Sequence, residues 1–214
     1  MTVRGSTQTS PNDDDPNYAP NLWYNCQPYT VAAGSILFAN FLALHPFQIR
    51  RRTSIAQLGA RITTLAAGGL IQLGLYAANL NTNLPVGQVI ARSGSLATDA
   101  AGLATSVGLV NAAGVALPAA GVPLERGLYW FAVNADATAG GTVIMQSYAP
   151  AIGLLGWLVG TAAQNNLSSA AAVAIFAKFF ATTFGTWPDL TNATLTDTVS
   201  SAYAAGQFQV GPNG

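Results

Sequence analysis

The chain has 214 residues, half of them apolar and only 7% charged, with eight cations balancing eight anions. Zero net charge excludes binding driven by a broad electrostatic field, whether to nucleic acid or to an acidic surface, and a single cysteine excludes an internal disulfide framework and a cysteine-based zinc cluster. Protein surfaces usually carry roughly 25–35% charged residues, so much of this exterior is expected to be covered by other subunits.

Residues 1–30 form the first unit. "STQTSPNDDDPNYAPNLWYNCQPY" is polar and rich in Pro, Asn and Asp, with no period of 2 or 3.6. It reads as an extended arm held by neighbours, and Trp23, Tyr24 and Tyr29 are interface anchors of the aromatic kind. Asp13, Asp14 and Asp15 supply oxygens of the type that hold hard cations, but without a 12-residue loop ending in Glu. They read as a solvated or arginine-paired acidic knuckle. Cys26 reads as a buried, inert thiol of a protein made in a reducing cytoplasm.

Residues 31–150 read as the core domain. "VAAGSILFANFLALHPFQIRRR" fits either a short helix ended by Pro46 or a pair of strands. Arg50, Arg51 and Arg52 hold three of the eight positive charges and read as a clamp for a neighbour's acidic arm, with Arg50 and Arg52 on one strand face. "SIAQLGARITT" and "LIQLGLYAAN" flank a Gly-Gly turn and predict a hairpin. In the second run Ile71, Leu73 and Leu75 face one way, and Gln72, Gly74 and Tyr76 the other.

"QVIARSG" is a further strand, and another is expected around Val115 to Leu117. "GLYWFAVNAD" is apolar on both faces: Leu128, Trp130 and Ala132 on one side, Tyr129, Phe131 and Val133 on the other. One face belongs to the domain core. The second calls for another layer or another chain, which makes Tyr129 and Phe131 candidate contact residues. "GTVIMQSYAP" is expected to pair with this strand through "NADATAGG".

Residues 151–214 read as a long excursion on the same domain, with a helix at 168–181 where Ala is dense. "VSSAYAAGQFQVGPNG" returns as a closing strand in which Ala202, Ala204 and Phe208 alternate loosely. Turn signals every ten to fifteen residues, without strand–helix alternation, predict an all-β antiparallel sandwich.

Residues 137–177 carry no charge, which raises membrane insertion as a rival. Pro150, Gly153, Gly156 and Gly160 interrupt that stretch, and Gln164, Asn165 and Asn166 follow, so a spanning helix is not expected. No secretory leader is visible either.

Chemistry is scarce. His45 is the single histidine, and Cys26 the one nucleophile it could serve, in no recognisable context. Asp99, Glu125, Asp136, Asp189 and Asp197 are too scattered to form an acid/base pair, and no phosphate-loop, nucleophile-elbow or zinc-helix motif occurs. The sequons at Asn166 and Asn192 read as chance. No catalytic residue, cofactor or metal is expected.

Three stretches are familiar. Ile62, Thr64, Ala66 and Gly68 form an I-x-T-x-A-x-G ending; Leu73, Gly74, Leu75 and Tyr76 form L-G-L-Y; Leu124, Gly127, Tyr129, Trp130, Phe131, Ala132 and Val133 match an L-P-A-G-x-Y-W-L-A-V strand. Over roughly residues 50–150 the chain resembles the jelly-roll-like β-sandwich domains of tailed-phage virion proteins, departing where Glu125 and Arg126 replace Pro and Ala. The resemblance implies a structural virion protein, a homotrimer made in the host cytoplasm. It implies a tail-fibre or receptor-binding component, or alternatively a head fibre or capsid decoration protein, anchored to other virion proteins by the arm. A third alternative is a lectin-like module gripping host glycan, for which Trp157 and Trp187 are candidates.

Overall fold

Period-two alternation dominates the sequence because strands send successive side chains to opposite faces. The computed structural model is correspondingly all-β. It describes residues 18–26, 31–36, 39–139, 142–148, 177–198, 203–204 and 206–212, and no helix occurs among them. In chain order the strands are β1 Trp23–Asn25, β2 Val31–Ile36, β3 Phe41–Ile49, β4 Thr53–Thr64, β5 Leu70–Ala78, β6 Pro85–Arg92, β7 Leu96–Ala97 and β8 Gly102–Thr105. They continue with β9 Val122–Leu124, β10 Gly127–Ala135, β11 Ile144–Tyr148, β12 Ala177–Ala181, β13 Thr196–Thr198, β14 Tyr203–Ala204 and β15 Gly206–Val210.

These strands form two sheets, and every ladder is antiparallel. The first is organised on β4: β15 and β11 pair along one edge, β9 and β8 along the other. β1 extends it beyond β15, and β2 and β14 pair with β11. The second runs β13-β12-β3-β10-β5-β6, with β7 on β5. Register shifts beside Val210, Met145 and Ala77 bend the strands, as bulges do.

The sheets share one core. Leu58, Ala60, Ile62, Met145 and Phe208 from the first sheet meet Phe47, Ile49, Leu73, Leu75, Phe131 and Val133 from the second. Each of the larger side chains contributes about 1.5–3 kcal/mol on burial. A separate cluster lies on the outward side of the second sheet, where Leu42, Leu44, Tyr76, Val89, Trp130 and Ala132 are covered by Leu190, with Trp187 and Leu195 packed alongside.

That second cluster answers the question posed by the two-faced run in β10. The facing of its side chains is as read from the sequence, and so is that of β5. The layer over Trp130 and Ala132, however, is this chain's own segment 187–195, not another subunit.

Several expectations need correction. β4 and β5 are not a hairpin, because they belong to different sheets and "LAAGG" carries the chain between them; β10 and β11 are likewise in different sheets. Residues 115–117 give only an isolated bridge of Ala116 to Val110, and the strand of that region is β8. Of the expected helix at 168–181, residues 177–181 are β12, where Lys178 to Ala181 pair with β3; the remainder lies outside the described residues. Residues 31–36 and 41–49 take the two-strand alternative. Pro46 lies in β3 opposite Trp130 of β10, just beyond Leu44, the last residue of β3 that pairs with β12 among the described residues.

Candidate interaction surface

The expected contact residues fall in three places. Trp23 and Tyr24 lie on β1, an edge strand of the fold itself, so this part of the arm is not a free extension. Tyr24 points inward, stacked on Phe208 at 5.8 Å and edge-on to Tyr18 at 5.0 Å. Its hydroxyl accepts a hydrogen bond from the Ala19 N–H at 2.7 Å. Trp23 points outward, with its ring over Gly59: a Cβ there would come 2.9 Å from Trp23 Cζ3. Tyr29 and Asp13 to Asp15 lie outside the described residues.

Arg50, Arg51 and Arg52 occupy the turn between β3 and β4, not a strand, so the expected sharing of one face does not hold. Arg52 Nε donates to Glu125 Oε1 at 3.1 Å. The carboxylate that arginine found is therefore in its own chain. Tyr129 O–H donates to the Glu125 carbonyl at 3.0 Å, and its ring lies 6.1 Å from that of Phe47 at the rim of the inter-sheet core. Phe131 is 0% exposed in the centre of that core. The folded chain covers it fully, which removes the reason for reading it as a contact residue.

Register defines a coherent outward face on the first sheet. Trp23 lies opposite Gln209, which lies opposite Gln57; Asn25 lies opposite Gln207, then Gly59, then Thr105. Arg61 stands opposite Leu103, which is 51% exposed. Gln207 Nε2 donates to Asn25 Oδ1 at 3.1 Å, and Gln209 Nε2 to the Asn21 carbonyl at 3.2 Å, so two of the amides are held in fixed orientations. The face combines an indole, an isobutyl group and ordered amides with one charge. Sequence reading found Trp23 but missed the glutamines; the signal was present in "GQFQV", where two polar residues flank an inward Phe208.

The described residues contain no cluster of three metal-ligating His, Cys, Asp or Glu side chains. Cys26 and His45 are both buried, and burial alone shifts each: the thiol upward, the imidazole down to about 4. Both shifts disfavour the charged forms that a nucleophile–base couple needs. Three scattered acids hold backbone N–H groups, Asp136 and Asp189 within their own turns and Asp99 across to the loop after β4. Asp99 Oδ1 accepts from the Gly68 N–H, Asp136 Oδ1 from Ala139 N–H, and Asp189 Oδ1 from Thr191 N–H. No helix among the described residues is long and apolar enough to cross a membrane.

Trp187 is a covering residue. It stacks on Tyr76 at 6.2 Å, its Nε1 donates to Gln72 Oε1 at 2.8 Å, and its ring seats on Gly74, where any Cβ would overlap it. Trp157 lies outside the described residues. No family model, curated protein or solved structure matches the chain.

Proposed function

We propose that this chain is a non-enzymatic structural protein of a tailed-phage virion, a jelly-roll-like β-sandwich that assembles as a homotrimer in a tail-associated or receptor-binding position. The observation that carries the reading is the outward face of the first sheet. It is nearly uncharged, holds Trp23 and Leu103 partly open, and belongs to a chain with only 7% charged residues. Ordered amides beside apolar groups suit a subunit contact, which excludes water without charge pairing. The three virion-like sequence stretches fall on the β4–β5 crossing and on β10, so they occupy the centre of the fold. Within the arm of residues 1–30, Trp23–Asn25 are β1, and the attachment role is proposed for the stretch ahead of that strand.

The purified chain should run at the mass of three 21.9-kDa subunits by light scattering, and Trp23→Glu should give a folded monomer. A wild-type chain that is monodisperse as one copy would overturn the assembly. Deleting residues 1–17 should spare the trimer and abolish loading onto particles. Normal loading would remove the arm from the reading and favour head decoration through another surface.

A further inference from the structure

We infer that the segment leaving β12 builds a shallow binding cleft for a neutral saccharide, an assignment that deepens the receptor-binding reading and rests on it for its biological sense. The cleft is open to solvent, with a volume of about 670 Å³, and is lined by Phe180, Asp189, Thr191, Asn192, Ala193 and Thr194. That volume is typical of small-molecule sites.

Its walls are fixed from beneath. Phe180 stands on β12 opposite Leu42. Leu190 is buried in the outer cluster, and its N–H donates to the Gly87 carbonyl at 2.9 Å. The Tyr76 hydroxyl donates to the Pro188 carbonyl at 3.0 Å. Asp189 is oriented by two bonds to one oxygen, from Thr191 N–H at 2.8 Å and Thr191 Oγ1–H at 2.6 Å. The same bonds lower its pKa, keeping it ionised.

The lining selects the ligand. It has no cation, so phosphates and acidic sugars find no partner and meet a carboxylate. Its apolar surface is one aromatic ring and the methyls of Ala193, Thr191 and Thr194, too little for a greasy ligand. A pyranose fits both parts: its C–H face lies on Phe180 while its hydroxyls donate to Asp189 and bond the Asn192 amide, which both donates and accepts. An ammonium ion is the competing small ligand, since Asp189 alone would attract it.

The test titrates the full-length protein with methyl glycosides of glucose, galactose, mannose and N-acetylglucosamine, with ethylammonium chloride as the rival probe, and follows the bound species by NMR. At least one glycoside should saturate in the millimolar range. Asn192→Ala and Asp189→Asn should each raise its Kd at least about tenfold, the second while keeping an acceptor for Thr191. Saturation by no glycoside, unchanged affinity in both variants, or ethylammonium binding more tightly than every glycoside would overturn the assignment. The subunit mass is measured separately, so failure of the cleft and failure of the assembly are told apart.

Discussion

Each sheet seats a tryptophan on a glycine at its outward face, and the two faces then diverge. On the second sheet Trp187 covers Gly74, its indole N–H is bound by Gln72, and Tyr76 stacks beneath and ties down Pro188. Trp130 alongside is 1% exposed and donates to the Asn83 carbonyl at 3.0 Å. On this side Tyr76 and Trp130 are covered by folding, and the indole N–H groups of Trp130 and Trp187 are paired. On the first sheet Trp23 covers Gly59 from a three-residue edge strand, among amides with hydrogen-bonding capacity left over. An apolar run in a sequence counts side chains; it does not say whether the same chain or another one covers them. β10 is covered by its own chain, and the face around Trp23 is the one that the proposed trimer would cover.

The largest effect should come from emptying the closed side. Trp130→Ala removes a buried indole and leaves a hydrogen-bond acceptor behind, so it should cost about 3–5 kcal/mol in urea unfolding. A loss below about 1 kcal/mol would mean that segment 187–195 collapses freely and is not a true layer.

Acid should come next, and it tests whether the two faces stand on one core. His45 lies opposite Phe131 in the ladder between β3 and β10. Burial lowers its pKa from 6.5 to about 4, so the unfolded chain binds a proton there that the folded chain does not. Stability is therefore fully present above pH 6.5, falls as the pH drops, and levels off below about 4; by linkage this one group accounts for roughly 3 kcal/mol. His45→Leu should flatten the slope over that interval. If Trp23 and Trp187 reported different acid midpoints in single-tryptophan variants, the two faces would belong to separate folding units.

The strand content and the facing of β5 and β10 were readable because period two is a local signal, carried by Ile71, Leu73 and Leu75 or by Phe131 and Val133. Sheet membership was not. "LAAGG" looks like a hairpin turn, yet here it carries the chain from one sheet to the other, and nothing local distinguishes the two uses. Ala density at 168–181 suggested a helix because Ala has high helix propensity, whereas Lys178 to Ala181 are held as a strand by the open edge of β3, a partner more than 130 residues away. The same limit hid the amide face: Gln57 and Gln209 meet only through the ladder between β4 and β15, elements far apart in sequence. Trp23 stood out as a candidate anchor because an aromatic in a polar stretch is a local signal.

The smallest effects should separate the faces most cleanly, through one added methyl on each. In Gly74→Ala the new Cβ overlaps the Trp187 ring, which is pinned by Tyr76 below and Gln72 at its edge. The ring cannot yield without losing both contacts, so overpacking should cost about 1–3 kcal/mol of unfolding free energy, with the subunit mass unchanged. In Gly59→Ala the methyl meets Trp23 Cζ3 at 2.9 Å, but that ring is half-exposed and can swing outward. Stability should fall by less than about 1 kcal/mol. What moves instead is the surface offered to a neighbour, so a trimer joined through this face should dissociate at concentrations where wild type holds. If Gly59→Ala unfolds the chain as strongly as Gly74→Ala and leaves the mass unaltered, both tryptophans are internal covers, and the contact between subunits must be sought elsewhere.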